Sequence, residues 1–465
     1  MEPSRRDFLR TASAVSLGFA GLHTLMARSG FASPRDIRLG FGPLLPDPEG
    51  VIDLPEGFRY TIVSRFGDPM DDGLRVAGQP DGMAAFAGPD GKTILIRNHE
   101  LDPAEYPRRG PFGDEHERRG LIDPALMYDP GPPGGPPGIG GTSTVIYDTG
   151  AQRVERQFMS LVGTSRNCAG GPTPWGSWLT CEESDFLPDD LHGKAHGYVF
   201  EVPATMEQKL AEPVPLKAMG RFYHEAVAVD PASGVVYLTE DRNEGLLYRF
   251  IPNVPGRLRE GGRLQALAVM DTQSLDTRQW DPEGRQIPVG ARMRVRWIDL
   301  EDIDPEDDSL RFRGHAAGAA VFARGEGVWY GRRTIFFACT NGGKAGKGQI
   351  WKYYPSPREG AAGEASNPGV VELFVEPNDA GLIDNADNLT VAPWGDLIVC
   401  EDGTGEDFLV GVTPKGEIYK FGRNATGESE LAGATFSPDG TTLFVNIQGR
   451  GLTLAITGPW DRREG

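Results

Sequence analysis

Residues 225–241, EAVAVDPASGVVYLTED, and residues 387–402, DNLTVAPWGDLIVCED, follow one plan. Each has an acid, a run alternating between apolar and other residues, a turn built on Pro and Gly, and a second alternating run ending in acids. Period-two alternation broken by such a turn is the pattern of two antiparallel strands. Four further copies start at Asp81 (DGMAAFAGPDGKTILIRNHE), Cys168 (CAGGPTPWGSWLTCEE), Glu326 (EGVWYGRRTIFFACTN) and Gly433 (GATFSPDGTTLFVNIQ). A repeated unit of this kind buries its apolar faces only against its neighbours. The shortest spacing, from Asp387 to Gly433, is close to the length of one four-stranded blade, and the longer spacings imply inserted loops. The expectation is an all-β fold, a six-bladed β-propeller. Further strands are expected at Gly197–Phe200, Leu246–Phe250, Gln349–Tyr353 and Glu417–Lys420. The alternating segment Phe58–Phe66 is placed to close the ring against the C-terminal copy.

The chain of 465 residues holds 63 Gly and 38 Pro, a turn-rich composition that argues against helical bundles and coiled coils. Its 47 basic and 66 acidic residues leave a net charge of −19. That charge disfavours partners such as nucleic acid or an anionic membrane surface. If the substrate is an anion, bound cations must attract it. Near the start, Ser4–Arg10 (SRRDFLR) precedes an apolar run from Thr11 to Ala27, interrupted by Gly18, Gly21 and His23. This reads as a twin-arginine export signal over residues 1–33, followed by one propeller domain over 34–465. The run is too polar and too short for a membrane span. The twin-arginine machinery is thus an expected partner, the location periplasmic or extracellular, and no stable span is expected after signal removal. No CxxC, GxSxG or Walker-type loop occurs, so zinc-ribbon, serine-hydrolase and nucleoside-triphosphatase readings have no support.

In a propeller blade the start of the first strand and the end of the second return to one face. Those two points are rich in acids here: Asp81 with Asn98, His99 and Glu100; Cys168 with Glu182 and Glu183; Glu225 with Glu240 and Asp241. Later copies bring Glu326 with Thr340 and Asn341, and Asp387 with Glu401 and Asp402; the last has only Asn446. Carboxylates converging on one channel mouth repel each other, and basic partners are scarce apart from Arg97, Arg242 and Arg324. Multivalent cations resolve this, since carboxylates suit hard ions such as calcium. Cys181, Cys339 and Cys400 share a late second-strand position that suits packing between blades. Cys168 instead opens a first strand, where a thiolate suits a softer transition-metal ion. His224 precedes Glu225, and adjacent strand residues point to opposite faces, so His224 reads as packing.

Asn98-His99-Glu100, the block from Asn167 to Glu183 with its Cys-Ala-Gly-Gly, Tyr223-His224-Glu225, Arg324-Gly325-Glu326-Gly327 and Ala386-Asp387-Asn388-Leu389 resemble the PhoX-type alkaline phosphatases. That resemblance implies a six-bladed propeller whose mouth holds Fe3+ and Ca2+ bridged by an oxo group. It implies hydrolysis of small phosphomonoesters by metal-activated oxo or hydroxide attack. By motif, Cys168, Glu225 and Glu326 match iron-binding positions, and Asn98 and Arg324 match the pair that holds the phosphate. Glu100, Glu182, Glu240, Asp387 and Asp402 are calcium candidates placed mainly by mouth geometry. The chain is shorter than long family members and Gly325 stands where a Pro is usual, while Ala386-Asp387-Asn388 and the compact blades resemble a short branch of the family. Two other readings fit an acid-mouthed propeller: a calcium-dependent hydrolase of lactones or phosphotriesters, and a non-catalytic, metal-braced binding propeller.

Overall fold

The computed structural model describes residues 40–462; the expected signal segment 1–33 lies outside the described residues. Each of the six sequence copies folds as an antiparallel strand pair. They are Pro80–Ala87 (β1) with Lys92–His99 (β2), Asn167–Pro172 (β3) with Ser177–Glu182 (β4), and His224–Val229 (β5) with Val236–Glu240 (β6). Gly325–Gly331 (β7) pairs with Thr334–Cys339 (β8), Ala386–Val391 (β9) with Leu397–Glu401 (β10), and Leu431–Phe436 (β11) with Thr442–Ile447 (β12). The odd-numbered strands lie side by side in chain order, and β11 returns to lie against β1. The result is an all-β, propeller-like ring with its first strands innermost.

Outer strands extend each pair. Arg59–Arg65 completes the last sheet by pairing with Leu452–Thr457, so the segment expected to close the ring does so. Four of the six pairs sit in sheets of their own, but the sheets of β5–β6 and β7–β8 are fused into one of nine strands. The fusion comes from an outer strand, Arg292–Asp299. It pairs with Gly262–Val269 on one side, in a register running from Gln265 opposite Asp299 to Val269 opposite Val295. On its other side it pairs with Val370–Val375.

The apolar core lies between neighbouring sheets. Leu179, Cys181 and Val199 pack against Val227, Leu238 and Phe250 in one such layer, and Cys339 and Cys400 sit in two others. All four cysteines are free and buried. One irregularity recurs in every inner strand. Register slips between Pro80 and Met83, Asn167 and Gly170, His224 and Val227, Gly325 and Val328, Ala386 and Leu389, and Ala432 and Thr435. A bulge leaves residues unpaired and re-aims their side chains. The residues it frees include Asp81, Cys168, Glu225, Glu326 and Asp387.

Candidate metal centre at the channel mouth

Those freed side chains meet. Ligand atoms of Asp81, Glu100 and Cys168 lie within 4.8 Å of one another, as do those of Cys168, Glu183 and Glu225, and those of Glu225, Glu326 and Asp387. The three sets share Cys168 and Glu225 and so form one continuous cluster. Glu225 is fully buried, and neither carboxylate oxygen has a hydrogen-bond partner. Burial pushes its carboxyl far above the usual range, reinforced by Glu183, Asp387, Asp81 and Asp241. An ionised carboxylate in that setting costs several kcal/mol unless a cation compensates it. Burial also raises the Cys168 thiol, with Asp81, Glu225, Glu100 and Glu183 adding to the shift. Carboxylate oxygens around one sulfur fit hard cations beside a softer one.

Two of the calcium candidates lie elsewhere. Glu182 accepts hydrogen bonds from the N–H groups of Ser165 (2.9 Å), Gly197 (2.9 Å) and Tyr198 (3.2 Å), and its Oε1 lies 2.6 Å from His196 Nδ1. Glu240 accepts from Leu246 N–H and Tyr248 O–H. Both end a second strand and point outward to the next strand of their own sheet. Glu401 does the same, accepting from Asp384 and Phe408 N–H and from Lys420. The following residues, Glu183, Asp241 and Asp402, turn to the mouth, as period-two alternation requires. Asp402 is an exposed rim group, and its charge, after burial, helps raise Asp387 to about 7.

Arg324 reaches the mouth. Its Nε and Nη2 grip both oxygens of Asp241 at 2.7 Å, and Nη2 lies 2.9 Å from Glu326. Asn98 does not have a free edge. Its amide donates to the carbonyls of Cys168 (3.1 Å) and Ala169 (2.7 Å), and its oxygen accepts from Trp178 and Thr180. With both faces of the amide engaged, Asn98 braces the bulge that aims Cys168. Arg97 is buried between sheets against Ser64, Ser143 and Thr453, and Arg242 lies over the Tyr223 ring, so neither neutralises the cluster. Arg166, absent from the sequence-based candidates, does: it contacts Glu100 (3.1 Å) and Glu183 (3.0 Å).

Arg166 and Arg324 occupy the same place, two residues before Cys168 and Glu326. Both are left-handed, at φ +48° and +46°, as are Gln79 and Asn385 at the matching places before Asp81 and Asp387. A non-glycine residue there carries strain of order 1–3 kcal/mol, which clusters at functional sites. The carbonyls at these four places accept the N–H of Glu100, Glu183, Thr340 and Asp402, tying the two mouth positions of each pair together. Below the acids the inner strands nearly touch. A Cβ on Gly82 would lie 2.5 Å from Ala169 Cα, and one on Gly171 would overlap the Val227 carbonyl oxygen. Close approach thus explains much of the Cys-Ala-Gly-Gly block, and only about 20 Å³ remains open, room for about one water.

The sequence pattern of alkaline phosphatase PhoX matches residues 39–120 and 142–451. The chain belongs to the alkaline phosphatase PhoX family. The gap in the match contains the whole of the Gly/Pro-rich insert Gly131–Gly141. Among solved structures, Pseudomonas fluorescens PhoX in complex with vanadate, a transition-state analogue, superposes with a TM-score of 0.65 at 19% identity. The alignment covers 90% of this chain and 98% of that one. A gluconolactonase from Xanthomonas campestris aligns with a TM-score of 0.41 at 13% identity, covering 91% and 99%. No curated protein matches the chain. Family membership makes this PhoX-family chain a phosphomonoesterase, and the acid cluster is where its metal dependence has a structural basis.

Proposed function

We propose that this PhoX-family chain is an exported phosphatase whose mouth carries calcium and iron and hydrolyses small phosphomonoesters. On this reading residues 1–33 are the twin-arginine signal, and residues 34–465 form one six-bladed propeller. Support for six blades comes from the ring of six inner strands, with the nine-stranded sheet counted as two blades joined at their outer edges. The observation that carries the function is Glu225, buried with both oxygens unpartnered among other acids.

Cys168, Glu225, Glu326, Asp387, Asp81, Glu100 and Glu183 would hold the ions, which supply Lewis-acid charge compensation at the phosphate. The chain's own residues then have distinct tasks. Arg324, gripped by Asp241, presents its guanidinium edge to the phosphate and neutralises equatorial charge. Arg166 offsets the repulsion between Glu100 and Glu183. Asn98 fixes the backbone at Cys168 and Ala169. The inner strands nearly touch below the acids, so substrate would reach the ions from the mouth.

The test is hydrolysis of p-nitrophenyl phosphate at alkaline pH, with calcium, after EGTA, and after calcium is restored, with iron quantified in the same sample. Activity that is lost and returns supports the proposal. Folded, metal-loaded protein without activity on any phosphomonoester overturns it.

A further inference from the structure

Of the chain's eight tryptophans, Trp280 alone packs into none of the apolar clusters among the described residues, and it keeps 37% of its surface exposed. It is nevertheless held in place. Its Nε1 donates to the Asn341 carbonyl at 2.7 Å, and the Arg278 guanidinium lies 4.6 Å from its ring centroid. Arg278 is itself fixed by Asp276 at 2.9 and 2.7 Å and by its own carbonyl, which accepts from Gly343 N–H.

These contacts put the indole on the rim beside the phosphate-facing arginine. Asn341 follows Thr340, whose N–H donates to the Arg324 carbonyl; Arg324 N–H donates to the Arg242 carbonyl; and Asn341 bonds Asn243 at 2.9 Å. The sector between β5 and β7 therefore carries Trp280, Arg278, Arg242 and Tyr223, whose ring has Arg242 3.1 Å above it. Its arginines are ion-paired, Arg278 with Asp276 at 2.7 Å and Glu244 at 3.7 Å, and Arg242 with Asp308 at 3.1 Å and Asp185 at 3.5 Å. A fixed, partly exposed indole on the rim suits stacking by a flat conjugated leaving group.

We propose that Trp280 is a specificity-determining platform for the leaving group, favouring phosphomonoesters of flat aromatic or heteroaromatic alcohols. This rests on the phosphatase reading above. The test compares kcat/KM for phenyl phosphate and for glycerol 2-phosphate in the metal-loaded full chain, in wild type, Trp280→Ala and Trp280→Phe. Trp280→Ala is expected to lower the ratio of the two by about fivefold or more, mainly through KM, and Trp280→Phe to restore most of it. An equal fall on both substrates, or none on either, overturns the platform while leaving the phosphatase reading intact. Wild type that hydrolyses neither substrate overturns the phosphatase reading, and the platform with it.

Discussion

Glu182 and Glu183 are neighbours in the chain, the same residue type and both buried, yet they belong to different parts of the molecule. Glu182 is surrounded by donors that the fold supplies, three N–H groups and His196. Glu183 faces Cys168 and Glu225 and has Arg166 as its cationic partner. Glu401, held by two N–H groups and Lys420, parts from Asp402 in the same way, whereas Arg324 grips Asp241 and one Glu240 oxygen has no hydrogen-bond partner. A buried carboxylate that the fold fully pairs acts as a brace, whereas one aimed at other carboxylates waits for a cation. One residue of register decides which.

The largest effect is expected at the unpaired extreme. Glu225→Gln should lower kcat at least about 1,000-fold, because the residue joins two of the three ligand sets. Metal content, measured on the purified protein, should fall in parallel. The same change should stabilise the metal-free form. Glu225 has a raised folded pKa, so its ionisation costs stability as pH rises above the ordinary value of 4.5, and the amide removes that cost. A variant that keeps full metal would break the comparison.

Glu182→Gln tests the other side and should destabilise by about 3 kcal/mol, the scale for breaking a buried ion pair, with metal content per folded molecule unchanged. The pH dependence follows from His196. Burial lowers its pKa, but Glu182 and Asp129 outweigh that and lift it from 6.5 to about 9. A raised histidine contributes stability fully present below about 6.5 and lost as pH rises through about 9. Denaturant titrations of the metal-free protein across that window should show the loss in wild type and a smaller loss in Glu182→Gln, where Asp129 still faces the imidazole.

Much of this is legible in the sequence. Alternation and turns place all six strand pairs, and Phe58–Phe66 is recognisable as the closing strand. Cys181, Cys339 and Cys400 are separable from Cys168 by their position. What the sequence does not disclose is register, because a bulge is a property of two paired strands and no residue type announces it. Glu100 and Asp402 lie on the mouth-facing parity, Glu182 and Glu240 on the other, and composition alone treats all four alike. Counting two residues back from each candidate ligand exposes Arg166 as the counterpart of Arg324. Asn98 departs from expectation for a different reason: its partners, Trp178 and two backbone carbonyls, come from a neighbouring strand pair.

Arg324→Ala is expected to cost less, about 10- to 100-fold in kcat/KM, the scale of a hydrogen bond to a charged group. Metal content should stay intact, since Arg324 contributes no ligand atom. Loss of metal in this variant would make Arg324 a structural partner of Glu326 and Asp241 and remove it from the phosphate.

The smallest effect is expected at Asp402, which shares mouth-facing parity with Glu183 and Asp241 but stands exposed on the rim. Asp387 is raised to about 7, first by burial and then by the charge of Asp402. Cation binding at the Glu225, Glu326 and Asp387 set should therefore strengthen as pH rises through about 7, because the carboxylate must lose its proton to bind. Asp402→Asn removes one negative neighbour, so Asp387 should ionise at lower pH and the midpoint of that dependence should move down. Solvent screens an exposed charge, so calcium affinity at pH 8 should change by less than about tenfold. Calcium titrations at pH 6, 7 and 8 read both quantities. A loss of binding as deep as that of Glu225→Gln would show that parity, rather than burial, is what makes a mouth acid a ligand.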